Sequence, residues 1–294
     1  MTYVRKDWLD RLGMDVPTTY DEFIEMLTRF KNEIPECTAP YTAPGLKSTQ
    51  ALPEFYQGAT ADYVKVDGKW VDGMAQDNML TALQNLQDAY TAGLIDQEAI
   101  TNTTSSCRDE WYAGTVGCFP YWGGLWGETL TVRLKQNVPD AEVIALPPIE
   151  GATYLYSAPS VQVISSKLSD EQVASVYKYF IEYMHDGGEG QVLFQSGVEG
   201  VHWQQSGNNI DPLPTISKPA EAFRKAWITP WLALTPMTAT DKNVEVSQEV
   251  TDSLAVVSAN AKNISVFPVS EQRTMITSDL TTTRENIISR VAMG

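Results

Sequence analysis

Residues 109–126 read DEWYAGTVGCFPYWGGLW. The stretch opens as a short helix and stops at Gly114, a residue free to take the left-handed conformation that closes a helix. VGCFPYW then runs apolar without alternation, as a strand buried on both faces does. At Gly123-Gly124 it breaks into LWGETLTVRLKQ, a loop that turns into a second helix. A buried strand held between two helices is the unit of an α/β architecture.

The flanking sequence repeats the alternation. Upstream, VPTTYDEFIEMLTRFKNEIP carries a capping-box pair, Thr19 and Glu22, ahead of Tyr20, Phe23, Leu27 and Phe30 at helical spacing, with Pro35 as the stop. A loop rich in Pro, Thr and Gly is expected from there to about residue 50. YVKVDGKWV predicts a hairpin turning at Asp67-Gly68. Asp62, Asp67 and Asp72 lack the spacing and terminal Glu of a calcium loop, so the turn is the reading taken. A helix follows from Asn78 to Ala92, with Met79, Leu83, Leu86 and Tyr90 on one stripe and Gly93 as its cap. Downstream, EVIALPP and PSVQVISS read as strands. SDEQVASVYKYFIEYMHDGG reads as a helix capped by Ser169, with Val173, Val176, Tyr177, Phe180, Ile181 and Met184 inward. Helical patterns recur in PAEAFRKAW, VEVSQEVTDSLAVVSAN and TTTRENIISRV.

Composition narrows the function. With 37 acidic against 21 basic residues the net charge is −16, which argues against nucleic acid, because binding phosphates needs clustered Lys and Arg. Three cysteines, Cys37, Cys107 and Cys118, and two histidines, His185 and His202, form no metal-ligand spacing, so neither a zinc site nor a disulfide framework is expected. No apolar run is long enough for a membrane span, and MTYVRKDWLD has no signal-peptide core. The chain does hold 8 Trp and 13 Tyr, several beside glycines rather than in periodic apolar runs. Flat aromatic faces in such settings suit the C–H patches of sugar rings.

The order of these phrases resembles the extracellular solute-binding proteins of carbohydrate-type ABC importers, the lipoprotein-like members of Gram-positive bacteria. YVRKDWLDRLGMDVPTTYDEF looks like the entry into that family's second lobe, and YVKVDGKWV, YTAGLID and DEWYAGTVGCFPYW follow in the family's order. PSVQVISS and GVEGVHW look like the return to the first lobe. The resemblance implies a two-lobed, periplasmic-binding-protein type II-like α/β fold with much of the first lobe missing and the chain truncated at both ends. Residues 1–155 would form the second lobe, complete and bearing ligand-facing aromatics. Residues 156–294 would supply a return segment to the first lobe, the hinge and C-terminal helices. It further implies a ligand enclosed between lobes by hinge motion, delivery to permease subunits, an extracellular location, and a lipid anchor not present in this chain.

Candidate ligand-binding residues follow from both readings. Tyr121, Trp122 and Trp126 succeed the buried strand, where Gly123 and Gly124 would leave a ring unobstructed, and Trp122 leads. Trp111 is either a core anchor or a contact. Tyr156, with Ser157, borders the expected crossing between lobes. In GVEGVHW, Glu199 would accept sugar hydroxyls, while Trp203 either reaches the ligand or packs under a hinge turn. His202 is a satisfied histidine on this reading, and Trp227 and Trp231 rank lower. The function expected is binding of an oligosaccharide or modified sugar by stacking and hydrogen bonds, with no cofactor and no catalysis. Alternatives are the same fold binding a peptide or another polar solute, an aromatic-lined glycoside hydrolase or lyase, and a truncated protein that binds nothing. Glu110, Glu128 and Glu199 invite the hydrolase reading through paired-carboxylate chemistry, but no spacing in the sequence pairs them.

Overall fold

A computed structural model describes residues 1–47, 50–156, 162–213, 235–263, 268 and 270–294. The chain divides into two compact units, residues 1–158 with 247–294, and residues 159–246. The first unit therefore takes in the C-terminal helices as well as the N-terminal half.

In chain order the first unit begins with β1 (Thr2–Arg5), α1 (Lys6–Leu12), α2 (Tyr20–Glu33), β2 (Ala39–Tyr41), α3 (Pro53–Tyr56), β3 (Tyr63–Val66) and β4 (Lys69–Asp72). It continues through α4 (Asp77–Thr91), α5 (Thr104–Ala113), β5 (Val116–Pro120), α6 (Leu125–Lys135), β6 (Val143–Ala145) and β7 (Leu155–Tyr156). The main sheet runs β2-β5-β1-β6, with β2 parallel to β5 and β1 antiparallel to both its neighbours. Two of its strands come from stretches the sequence left unassigned. β1 is buried at every residue, so no alternation marks it. β2 lies inside the expected loop, and its Pro40 is tolerated because β2 is an edge strand.

Helices cover both faces of the sheet. Val4 and Cys118 join Trp8, Phe23, Met26, Phe30, Phe55 and Leu86 in the larger core. Their neighbours Tyr3 and Phe119 join Trp111, Leu130 and Leu134 in a second core beneath α5 and α6. Gly117 is obligatory in β5, because a Cβ there would sit 2.4 Å from the Phe30 ring. Arg5 is buried too: its guanidinium forms a two-pronged pair with Asp7 at 2.8 and 2.6 Å and donates to the Gly114 carbonyl. Glu54, fully buried on α3, accepts from the hydroxyls of Tyr41 and Tyr154, each at 3.1 Å. Burial raises its pKa, and the Met1 ammonium and the hydrogen bonds it accepts offset that only in part.

The local signals translate directly. Thr19 and Glu22 form the capping box of α2. Asp67 and Gly68 take positive φ in the β3–β4 turn, and Gly93 (φ 67°) closes α4. The three spaced aspartates have separate duties: Asp67 makes the turn, while Asp72 caps the next turn at Met74 and pairs with Arg284 at 2.7 Å. Asp62 lies 3.9 Å from the same guanidinium.

The second unit holds α7 (Asp170–Val176), which runs into a π-helix (Tyr177–Glu182), then α8 (Glu189–Ser196), β8 (Trp203–Ser206) and β9 (Asn209–Pro212). Ser169 caps α7 as expected, and Gln172 completes a capping box that the sequence reading did not include. The expected inward stripe is not formed. Met184 is buried, but Val176, Tyr177 and Phe180 are exposed, as are Tyr179 and Tyr183. The i→i+5 turns of the π segment shift side chains off the 3.6-residue stripe, and α8 covers that face only in part, with Phe194 edge to face on Phe180 and Tyr183. The strand expected in PSVQVISS is also absent from its described part, since 162–165 lie in irregular backbone and 159–161 fall outside the described residues. The chain ends in the first unit with α9 (Gln248–Asn260), β10 (Lys262–Asn263), parallel to β7, and α10 (Glu271–Met293), which packs on α4.

Candidate functional site

β5 is buried along its whole length and delivers an aromatic run to its end. There the backbone is pinned from two sides: Tyr121 N–H donates to the Met1 carbonyl at 2.8 Å, and the Tyr3 hydroxyl donates to the Trp122 carbonyl at 2.8 Å. With its backbone fixed, the Trp122 indole stands 57% exposed. This is the reverse of ordinary tryptophan burial, and it leaves a flat face to solvent.

The neighbouring aromatic residues form a graded series of their own. Trp111 lies 6.1 Å from Phe119, Phe119 stacks on Tyr121 at 5.2 Å, and Tyr121 meets Trp126 edge to face at 4.7 Å. These separations fall in the range favoured by aromatic quadrupoles. Trp111 is the core end: it is fully buried and donates its Nε1–H to the Leu130 carbonyl, so it has no face for a ligand. Tyr121 and Trp126 are half-buried. Arg108 of α5 lies over both, 5.9 and 5.5 Å from the ring centroids.

The paired glycines act differently from the expectation. Gly124 takes φ 69° and donates its N–H to Ser253 Oγ at 2.8 Å. A Cβ on Gly123 would lie 3.0 Å from Val257, and one on Gly127 would lie 2.8 Å from the Glu249 carbonyl. These glycines let α9 approach α6 rather than clearing space above a ring.

A polar group flanks the other side of α5. Thr42, just past β2, donates to Glu110, and its hydroxyl lies 3.5 Å from Asp96. Asn102 donates to Asp96, and Ser106 Oγ donates to Asn102 at 3.1 Å. Burial raises the pKa of half-buried Glu110. Sequence reading considered Glu110 only as a possible acid, and passed over Thr42, Asp96, Asn102 and Arg108. No motif marks them, and Thr42 meets Glu110 and Asp96 from far away in the sequence, at the end of β2 where it pairs with β5.

The other candidates lie elsewhere. Tyr156 is exposed on β7, in the first unit. Ser157, Trp227 and Trp231 lie outside the described residues. Glu199, His202 and Trp203 belong to the second unit. Trp203 is only 3% exposed, donates Nε1–H to the Gly197 carbonyl at 3.0 Å, and packs with Val192 and Ile210; its role there is the core one. His202 Nδ1 accepts from Val198 N–H at 2.9 Å, and Glu199 is exposed on that turn. Among the described residues no group of His, Cys, Asp or Glu is placed to hold a metal, and no helix is long and apolar enough to cross a membrane.

Comparison with known proteins gives this arrangement a context. Residues 1–184 match the family model of the bacterial extracellular solute-binding proteins. Lipoprotein LipO of Bacillus subtilis is 22% identical over 218 residues, 68% of this chain and 43% of that protein. The fructooligosaccharide ABC transporter substrate-binding protein FusA of Streptococcus pneumoniae is 30% identical over 134 residues, 42% of this chain and 25% of that protein. The chain thus spans less than half the length of either curated relative. Among solved structures, alginate-binding protein AlgQ2 superposes with a TM-score of 0.67 at 17% identity, and FusA in complex with kestose with 0.63 at 18%. In both cases all of this chain matches 65% of the other. The shared fold is that of two-lobed sugar-binding proteins, and the family and its neighbours are binding proteins rather than enzymes.

Proposed function

Because the chain belongs to the bacterial extracellular solute-binding protein family, we propose that it binds a carbohydrate, an oligosaccharide or modified sugar, on the Trp122 face. It then hands that ligand unaltered to the permease subunits of an ABC importer. On this reading the protein works outside the cell, held to the membrane by a lipid anchor. The observation that carries the proposal is a tryptophan presented, not buried, at the end of a rigid buried strand. A pre-set indole loses little freedom when a sugar ring lies on it, so most of the stacking energy appears as affinity. Tyr121 and Trp126, on either side of Trp122 in the sequence, are half-buried aromatics, and the Thr42–Glu110–Asp96 group across α5 holds acceptors of the kind that orient hydroxyls. FusA, named for fructooligosaccharides, lends the ligand class support.

The test is a panel of oligosaccharides titrated against intrinsic tryptophan fluorescence, with parallel assay for new reducing ends. Saturable change without product is the expected result. Product release would replace the binding protein with a hydrolase, and saturable binding of peptides alone would replace the ligand class.

A further inference from the structure

We infer that the site is matched to a saccharide bearing a carboxylate, a sugar of the uronic-acid type, and that Arg108 reads the charge; this rests on the saccharide-binding reading above. The chain carries a net charge of −16, and the guanidinium groups of Arg5, Arg11, Arg29 and Arg284 each have a carboxylate partner. Arg108 forms no ion pair among the described residues; its hydrogen bond there is from Nη2 to Ser105 Oγ at 3.1 Å. It is half-buried against Tyr121 and Trp126.

Three consequences follow from this placement. The rings lie 5.9 and 5.5 Å from the guanidinium carbon, and with its half-burial they reduce its contact with water and so strengthen any charge contact it makes. The ring contacts also restrict the side chain, which reduces the freedom lost when its N–H donors meet a carboxylate. Glu110 is two positions further along α5, roughly 200° around the helix. It faces Thr42 and Asp96, so the acidic group and the cation serve different sides of the element. A neutral hydroxyl would also accept from Arg108, but only an anion would supply the ion pair that Arg108 lacks among the described residues.

The experiment pairs each acidic trisaccharide with its own methyl ester: galacturonate, glucuronate and mannuronate trisaccharides, free and esterified, titrated by tryptophan fluorescence. Esterification removes the charge and keeps the rings. The expected result is at least one trisaccharide bound about 10-fold or more tightly as the free acid. Arg108→Gln should bring that ratio close to one while the ester's Kd moves less than about 2-fold, and Arg108→Lys should restore it in part. Ester binding that survives Arg108→Gln also shows that the variant is folded. Equal affinity for acid and ester in the wild-type chain, or an acid preference untouched by Arg108→Gln, would overturn the inference and leave saccharide binding standing. Failure of every saccharide, acidic or neutral, would remove both.

Discussion

Trp122 and Glu54 show how differently two residues of one lobe are specified. The position of Trp122 just past a buried strand was legible, because that strand needs no partner to be recognised and the following glycines break it. Stacking geometry and buried ring area together make an exposed indole worth about 2 kcal/mol to a saccharide. Trp122→Ala is therefore expected to weaken binding on the order of 30-fold, as read by calorimetric titration, with thermal stability unchanged. Glu54 was not legible. Its partners Tyr41 and Tyr154 sit far from it in sequence and meet it only in the fold. Because burial raises its folded-state pKa, the stabilisation from its neutral form is complete below the unfolded carboxyl pKa and is lost as pH rises through the folded value. Urea unfolding should accordingly show lower stability at pH 8 than at pH 5. Glu54→Gln, which cannot ionise, should lessen that fall; a fall of the same size in the variant would assign it to other groups.

Elements carrying their own stop and start signals were read well, and those defined by partners were not. The capping box of α2, the Ser169 cap of α7, the Asp67-Gly68 turn and the Gly93 cap are local chemistry. β1, β2 and the β8–β9 hairpin are different: each becomes a strand by pairing, and β8 presents Gln204, Gln205 and Ser206 to solvent. The glycines after β5 were noticed and assigned the wrong duty, since their close neighbour α9 enters more than a hundred residues later. Gly127→Ala would place a methyl 2.8 Å from the Glu249 carbonyl, and the displacement of α9 should cost about 1–3 kcal/mol in chemical unfolding. In the second unit, Asp186 accepts from the N–H groups of Gly188, Gly190 and Gln191 at the start of α8, at 2.7–3.0 Å. Burial pushes its pKa up, and those three bonds outweigh it and bring it below the usual value. Asp186→Ala should destabilise this unit by about 1–2 kcal/mol near neutral pH. The deficit should shrink as pH falls through the folded pKa, because protonation removes the same bonds from the wild type.

For the molecule as a whole, order of motifs proved more informative than any one motif. The family match covers residues 1–184, and the two-lobed class was readable although the chain spans 65% of its structural neighbours. What escaped was the return of residues 247–294 to the first unit, because amphipathic helices do not say which sheet they cover. The exposed face of α7 and the π-helix escaped as well, because periodicity assumes a helix that keeps its pitch. The central claim is that Trp122 is a platform while Trp8, Trp111 and Trp203 are core. Indole N–H resonances of the labelled chain, assigned through Trp→Phe variants and followed during oligosaccharide titration, address it most directly. Saturable displacement of the Trp122 resonance, with Trp8, Trp111 and Trp203 nearly stationary, is the predicted result. A stationary Trp122 during saturable binding would contradict the account.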